Sequence, residues 1–305
     1  MTGRPFPPSE DPVGASPPAS TESPLRPLRQ VSLSRLAEFG ITPKRSLGQN
    51  FLIDDNIVGV ILQRLEARPD DVVIEVGAGL GVLTRALAGV SRLVHAFEID
   101  RSLEAALGAT LAGIPGDVRV HLEDVLRAPL EGLEPVPTLC ASNLPYSVAA
   151  PFLAESLVRL PRVRRYVVMV QREVADRLAS RPGSKTYGGL SVWVQLLAEV
   201  RDVRPLSRAV FYPQPRVDSA LVTLERRVPE GVLAERPALV RRVIDASFAQ
   251  RRKTLQNSLG AELGLDKTVV AEALDLVGLV PGVRAERVSP AVFPRLCEKL
   301  LQLLA

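Results

Sequence analysis

Cysteine is scarce in this chain, and long apolar runs are missing from it. Only Cys140 and Cys297 occur among the 305 residues, which argues against a disulfide framework or a thiolate metal site and fits a reducing compartment. No apolar run approaches the roughly 18 residues that cross a bilayer. The first residues also lack the apolar core of a secretory signal. We therefore expect a cytoplasmic protein that binds no metal and no membrane.

The chain is organised around a strand and a glycine loop that lack one glycine of the dinucleotide-binding fingerprint. Val72–Val76 is apolar and mostly β-branched, which predicts a buried parallel strand. Gly77, Gly79 and Gly81 follow, and a helical pattern comes after them. A dinucleotide fingerprint would place its third glycine where Val82 stands, so the spacing is G-x-G-x-G. This pattern predicts a nucleotide-type binding edge and disfavours a dehydrogenase.

Acidic residues follow the next two predicted strands. Glu98 comes after the strand Leu93–Phe97, about twenty residues beyond the first glycine, where an acid accepts the hydroxyls of a ribose. Asp124 follows the strand Val118–Leu122 and could accept a hydrogen bond from an adenine amino group at the same crevice. These features occur together in methyltransferases that bind S-adenosylmethionine and in some NAD enzymes, so both classes stay open at this point.

The first 30 residues contain eight prolines and a single aromatic residue. Such a segment cannot bury enough apolar surface to offset its ordering entropy, so we predict a disordered tail over residues 1–30. A short amphipathic helix over Ser32–Phe39 follows and ends at Gly40. The segment Pro43–Leu52 then combines polar amides, a basic pair and an aromatic. It fits either a loop that closes over a ligand or an ordinary capped entry into the next helix.

The rest of the chain predicts a doubly wound α/β sheet followed by helices. We expect a catalytic domain of Rossmann-like architecture, binding S-adenosylmethionine or NAD, over residues 31–230 and a smaller all-helical domain over residues 231–305. Further strands are predicted at Thr138–Ser142, Arg165–Gln171, Val200–Val203 and Ala220–Leu224, the last two as an added hairpin. Helices are predicted at Leu103–Leu111, Arg172–Leu178, Ala238–Phe248, Lys253–Leu259, Lys267–Leu276 and Ala291–Leu303, and a further amphipathic helix follows Gly188-Gly189 and ends at Leu197.

The tetrapeptide Asn143-Leu144-Pro145-Tyr146 follows the fourth predicted strand and carries a specific chemistry. The exocyclic nitrogen of adenine is a poor nucleophile because its lone pair is delocalised into the ring. An asparagine oxygen and a carbonyl held rigid by the following proline can each accept one of its N–H groups, which favours the pyramidal nitrogen of the transition state. The tyrosine can stack on a base taken out of its helix. Asn and Pro after a strand also form ordinary turns, but the glycine loop and the two acids favour the catalytic interpretation.

At this point the chain resembles the ribosomal RNA adenine N6,N6-dimethyltransferases, and within them the bacterial small-subunit enzymes linked to kasugamycin sensitivity. The resemblance runs from about Pro43 to the C-terminus. It rests on seven blocks in family order: Gln49–Leu52, Val76–Gly81, Glu98–Asp100, Glu123–Leu126, Asn143–Tyr146, Phe211–Ser219 and Phe248–Leu255.

The resemblance implies a role for particular residues. It implies S-adenosylmethionine contacts at Asn50, Leu52, Gly77, Glu98, Asp124 and Asn143. It implies a catalytic loop at Asn143, Leu144, Pro145 and Tyr146, with Phe211 sandwiching the target base from the other side.

The family transfers four methyl groups, two to each of two adjacent adenines in a hairpin loop near the 3′ end of 16S ribosomal RNA. The resemblance therefore implies N6,N6-dimethyladenosine formation during maturation of the 30S subunit by a monomeric enzyme. Three alternatives stay open: the related antibiotic-resistance enzymes that modify large-subunit RNA, the mitochondrial transcription factors built on this fold, and a checkpoint protein of subunit assembly. The intact Asn143–Tyr146 loop argues against a loss of catalysis.

The charge is modest and uneven. The chain has a net charge of +4, and residues 206–305 hold 15 Lys/Arg against 11 Asp/Glu. Arg251, Arg252 and Lys253, with Arg241 and Arg242 one helix earlier, are predicted to contact RNA phosphates. The alternative for the same residues is a solvated helix face.

Overall fold

The computed structural model describes residues 28–280 and 282–304, and it contains two sheets and twelve α-helices within those ranges. The strands are β1 Phe51–Leu52, β2 Val72–Val76, β3 Leu93–Phe97, β4 Asp117–His121, β5 Leu139–Asn143, β6 Arg165–Gln171, β7 Ala198–Leu206, β8 Phe211–Tyr212 and β9 Ser219–Arg226. The helices are α1 Leu28–Glu38, α2 Asp55–Leu65, α3 Val82–Ala88, α4 Glu104–Leu111, α5 Tyr146–Arg159, α6 Arg172–Leu178, α7 Gly189–Leu197, α8 Val232–Glu235, α9 Pro237–Phe248, α10 Leu255–Leu263, α11 Lys267–Leu276 and α12 Val292–Leu304.

The large sheet has the strand order β4-β3-β2-β5-β6-β9-β7. The first five strands of that order are parallel, and β9 and β7 continue the sheet as an antiparallel pair, which confirms the predicted hairpin. After β4 the chain crosses over to β5 on the other side of β2. The carboxyl ends of β2 and β5 therefore flank the switch point at which doubly wound sheets bind their ligands.

The alternation of side chains along β2 assigns each face of the sheet to a different apolar layer. Ile74 and Val76 belong to one buried cluster, which α5 and α7 cover, whereas Val73 belongs to the cluster under α2 and α3. Because both faces are covered, the strand is apolar at nearly every position rather than at every second one.

The C-terminal helices share a core with the sheet. Leu255, Phe293 and Leu300 fall in the same buried cluster as Val168 of β6 and Trp193 of α7. The Tyr187 hydroxyl donates to the Val288 carbonyl at 2.8 Å and ties the two regions together. The boundary predicted at residues 230 and 231 thus crosses a continuous apolar interior.

Several element bounds differ from the predictions. α1 begins at Leu28 rather than Ser32, so it includes the last three residues of the predicted tail, while residues 1–27 lie outside the described residues. α10 begins at Leu255 rather than Lys253, because the Thr254 hydroxyl accepts the Asn257 N–H and caps the helix there. The short pair β1 and β8 was not predicted, since two residues are too few for a periodic pattern.

In the described part of the chain no helix combines the length and the apolar character that crossing a membrane requires.

Glu75 is the exception to the apolar character of β2. Its side chain is 1% exposed, and its Oε2 has no hydrogen-bond partner among the described residues. Burial, reinforced by the nearby Glu98 carboxylate, raises the pKa of Glu75 to about 8. The folded protein therefore holds a proton on Glu75 that the unfolded chain loses at much lower pH.

We predict that Glu75→Gln makes folding less sensitive to pH. Between pH 5 and 8 the wild type loses stability because its unfolded state alone ionises at this position. The variant has no such loss. The difference in free energy of unfolding between the variant and the wild type should therefore shift in favour of the variant by about 2–4 kcal/mol over that interval. Urea unfolding at both pH values measures the difference. The exposed Glu272→Gln serves as the control, and an advantage that does not change with pH would contradict the assignment.

Candidate functional site

Residues from three strand ends and two loops line one crevice at the carboxyl edge of the sheet. Gly77 follows β2, Glu98 follows β3, and Asn143 ends β5. Asn50 and Tyr146 line the same crevice from the loop before β1 and from the start of α5. The structure therefore brings together most of the cofactor-binding and catalytic residues predicted from the sequence: Asn50, Gly77, Glu98, Asn143, Leu144, Pro145 and Tyr146.

The glycine loop packs directly against the tetrapeptide Asn143–Tyr146. Gly77 has a φ of +79°, and a Cβ built there would stand 3.0 Å from Pro145 Cδ and 3.2 Å from the Asn143 carbonyl oxygen. A side chain at this position would collide with the loop and strain the backbone. Glycine is thus required at residue 77 both for its conformation and for the close approach.

The side-chain amide of Asn143 has a defined orientation. Its Nδ2 donates to the Asn50 carbonyl oxygen at 2.8 Å, and the opposite orientation would bring two oxygens together. This contact leaves Oδ1 as the free acceptor of the amide. The next acceptor along the chain is the Leu144 carbonyl, whose flexibility is limited by Pro145 at the start of α5.

Tyr146 is held by a residue on a distant strand. Its hydroxyl lies 2.7 Å from the Ser219 Oγ at the start of β9, and the Ser219 side chain is buried. Burial raises the pKa of the Tyr146 hydroxyl, so the group remains neutral at physiological pH. The bond fixes the hydroxyl end of the ring on one side of the crevice.

Glu98 closes the opposite side of the crevice and is only 6% exposed. Its Oε2 accepts the Gly79 N–H at 2.9 Å, and its Oε1 accepts the Asp100 N–H at 2.8 Å. Burial raises the pKa of the Glu98 carboxyl. Each oxygen still has capacity for a further donor. Ile99 beside it is 50% exposed and adds an apolar surface to the crevice.

The loop before β1 is tied across the crevice to Asp100. Lys44 Nζ and Gln49 Nε2 donate to the two carboxylate oxygens of Asp100 at 2.6 and 2.7 Å. Burial of Asp100 opposes ionisation, but these donors and Ser102 outweigh it and lower the pKa of the carboxyl to about 2. The segment also leads into a capped helix, because the Asp54 side chain accepts the Ile57 N–H at the start of α2, so the structure fits both interpretations of it.

Three of the predicted site residues lie elsewhere. Leu52 and Phe211 are paired between β1 and β8, and both side chains are buried in the apolar cluster beneath α2. Phe211 is 2% exposed, so its ring offers no open face for stacking in this structure, and its place in the base sandwich stays a prediction of the resemblance. Asp124 accepts the Leu126 N–H at 3.0 Å and does not line the crevice.

Arg251, Arg252 and Lys253 lie in the turn between α9 and α10 rather than on a helix. All three side chains are exposed, and none forms an ion pair within the described residues. Arg241 differs, because it is paired with Asp245 and its guanidinium lies 5.2 Å from the centre of the Trp193 ring. The three residues of the turn are therefore available to a polyanion, whereas Arg241 is engaged within the protein.

Sequence reasoning missed the partners that orient the site. Asp100 and Ser219 each belong to a recognised block, but their contacts with Gln49 and Tyr146 join segments 51 and 73 residues apart. No local pattern predicts such a pairing. Ile99 was also missed. It lies between two acids in the sequence, and only the structure shows that its apolar side chain is exposed.

Comparison with known proteins gives concordant results. The family model described as Ribosomal RNA adenine dimethylase matches residues 41–293. Ribosomal RNA small subunit methyltransferase A of Streptomyces griseus is 45% identical over 267 residues, which cover 86% of this chain and 91% of that protein. The structure of the 23S rRNA methyltransferase ErmE is 32% identical with a TM-score of 0.62, covering 83% of this chain and all of that one. A dimethyladenosine transferase from Plasmodium falciparum has a TM-score of 0.68 at 22% identity, with 83% and 98% covered, and supports the fold alone.

The contact of Gly77 with the catalytic loop gives a testable expectation. Gly77→Ala should destabilise the fold by about 1–3 kcal/mol, because the new methyl group meets Pro145 and the backbone is held at positive φ. Gly108→Ala in α4 is the matched control: no neighbouring atom lies within 4 Å of its Cβ, and the change should stabilise by about 0.5–1 kcal/mol. Urea unfolding of both variants measures the contrast. Equal effects of the two changes would show that residue 77 is not constrained.

Proposed function

Since the chain belongs to the ribosomal RNA adenine dimethylase family, we propose that it methylates N6 of two adjacent adenines in a hairpin loop near the 3′ end of 16S ribosomal RNA. The family makes it an S-adenosylmethionine-dependent rRNA adenine dimethyltransferase. The finer proposal is that the product is N6,N6-dimethyladenosine in the immature 30S subunit. In this proposal the enzyme acts as a monomer in the cytoplasm.

The observation that carries the proposal is the orientation of the Asn143 amide. With Nδ2 bound to the Asn50 carbonyl, Oδ1 is left to accept one N–H of an adenine amino group. In this proposal the Leu144 carbonyl accepts the other. The two acceptors together favour a pyramidal nitrogen whose lone pair points away from them, which lowers the barrier only as the transition state forms.

When bound, S-adenosylmethionine supplies a methyl group on a sulfonium sulfur, and the sulfur keeps the electron pair of the C–S bond when N6 attacks the carbon. The residues of this chain position N6 for that attack, and the proton that N6 releases passes to water. No side chain with a shifted pKa is needed as a base, because positioning supplies much of the rate.

The crevice fits this cofactor on the side of Glu98. Each carboxylate oxygen of Glu98 already accepts one backbone N–H and can accept a ribose hydroxyl as well. Ile99 offers an apolar surface for the adenine ring. Gly77 and Gly79 leave space at the rim where side chains would otherwise project. Asp124 and Leu52 remain predicted contacts from the resemblance, acting from outside this lining.

Tyr146 is proposed as the stacking platform for the target base, and the basic turn as a contact for the RNA backbone. The ring of Tyr146 borders the crevice, and its hydroxyl is anchored to Ser219. Arg251, Arg252 and Lys253 add three uncompensated charges, and the neighbouring segment at 282–288 carries the exposed Arg284 and Arg287. This distribution supports an RNA partner over a solvated surface.

Of the two candidate substrates, we propose the small-subunit RNA rather than the large-subunit RNA. The relative named as a small-subunit enzyme is 45% identical, whereas the large-subunit enzyme is 32% identical. The intact acceptor pair at Asn143 and Leu144 supports catalysis over a purely structural role in transcription or assembly.

The proposal is tested by methyl transfer from tritiated S-adenosylmethionine. Immature small subunits that lack the modification and large-subunit RNA are incubated separately with the protein, and the nucleosides are analysed. We expect dimethyladenosine in the small-subunit RNA alone. Label in the large-subunit RNA, or in neither RNA, would refute the proposal.

Asn143→Ala should impair the chemical step rather than docking. One preorganised acceptor is lost, which typically slows turnover about 10²–10³-fold. Single-turnover methylation with saturating subunits measures the rate, and KM should change little. Tyr146→Phe keeps the stacking ring and should retain most of the activity that Tyr146→Ala loses. A wild-type rate for Asn143→Ala would remove this residue from catalysis.

Neutralising the basic turn should reduce the salt dependence of RNA binding. Replacing Arg251, Arg252 and Lys253 by Gln should flatten the slope of log affinity against log salt by about 2, because fewer counterions are released. The matched control replaces Arg68, Arg92 and Arg162, which are exposed and lie near the opposite edge of the sheet. An unaltered slope in the first variant would assign its charges to a solvated surface.

A further inference from the structure

A second cavity opens beside the catalytic loop and shares Tyr146 with the crevice. It has a volume of about 360 Å³, which falls within the range of ligand sites. Its walls are the loop before β1, the end of β6 and the segment Pro213–Val217. Asn143 and Leu144 line the crevice but not this cavity, so the reacting amino group itself does not lie here.

The polar groups of this cavity divide into engaged and unengaged ones. Gln49 is engaged, because its amide binds Asp100 and the Lys44 N–H. The side-chain amides of Gln171 and Gln214 have no hydrogen-bond partner within residues 28–280 and 282–304. The cavity thus presents two amides, each with a donor and an acceptor that no protein group uses.

Two cations complete the cavity. Arg45 and Arg216 are exposed and form no ion pair in the described parts of the chain. Asp218, two residues after Arg216, is paired with Arg208, and Asp100 is paired with Lys44, the residue before Arg45. The lining therefore carries two positive charges and no acid.

We propose that this cavity is a second nucleotide subsite, which holds the adenine adjacent to the one being methylated. The inference rests on the proposed function and deepens it. With the reacting base against Asn143 and Tyr146, its neighbour in the strand enters the adjoining cavity. Gln171 and Gln214 read the N6 and N7 edge of the neighbouring base, a pairing that glutamine makes with adenine. Arg45 and Arg216 take the phosphates on either side of it.

The subsite couples recognition of the two adenines. An amide oxygen accepts from the N6–H of adenine, whereas guanine presents an oxygen at the equivalent position. A guanosine at the neighbouring position keeps the stacking surface of a purine, but it places the guanine oxygen, an acceptor, against the amide oxygen, which is also an acceptor. The subsite thus checks the identity of the second base of the adjacent pair, although no methyl group is transferred to that base while it lies there.

The test compares substrates as well as variants. Small subunits are prepared in which each of the two adjacent adenines is replaced in turn by guanosine, and kcat/KM is measured at the remaining adenine. For the wild type we expect a loss of about ten-fold, relative to its rate on unchanged subunits, for the one substitution that places guanosine in the subsite. In the double variant Gln171→Leu, Gln214→Leu the loss should disappear, because the edge is no longer read. Calorimetric binding of S-adenosylmethionine confirms that the variant keeps a folded crevice.

The arginines are tested in the same assay. Arg45→Gln with Arg216→Gln should raise KM and flatten the salt slope by about 1.5, with kcat unchanged. Arg162→Gln, at the far edge of the sheet, is the control and should behave as the wild type.

The outcomes separate the two levels of the proposal. If the wild type does not methylate unchanged subunits, the proposed function fails and the subsite with it. If it methylates them but tolerates guanosine, or if the glutamine variant discriminates as strongly as the wild type, the subsite alone is overturned.

Discussion

The close packing of Gly77 against Pro145 and the Asn143 carbonyl is the constraint on which the rest of the site depends. It joins the cofactor-side loop after β2 to the catalytic loop after β5, within 3.0–3.2 Å of where a Cβ would stand. Asn143 then binds the Asn50 carbonyl, which places the loop before β1 over the same crevice. Asp100 fixes the other end of that loop through Lys44 and Gln49. Four segments distant in sequence therefore take up one relative position.

This arrangement explains how a site without a reactive side chain can be catalytic. In the proposed mechanism, the groups that face the reacting nitrogen are an amide oxygen and a backbone carbonyl, neither of which titrates. Their contribution depends on being held in place before the substrate arrives, because reorganisation during the reaction would cancel the gain. The strands provide that rigidity, since Asn143 is the last residue of a strand buried between two others.

Much of the fold and part of the site could be predicted from sequence, and the reason differs for each. The parallel strands were found because Val72–Val76 and Arg165–Gln171 are buried on both faces and read as continuous apolar runs. Glu98 and Asn143 were located because they follow such strands directly. The inward orientation of Phe211 was not predicted, because its position in a recognised block carries no information on which way its ring turns. The Ser219 contact with Tyr146 depends on the hairpin register, which no local pattern specifies.

The shared core between the sheet and the C-terminal helices fixes the distance between two surface positions of the protein. Because Leu255 and Phe293 are packed in the same interior as Val168, the turn at Arg251–Lys253 cannot swing relative to Tyr146 without opening that interior. Tyr146 and this turn therefore keep a constant separation. In the proposed function, an RNA that engages both must already present its backbone and its target base at that spacing, so the protein would select the folded shape of its partner before any bond is made.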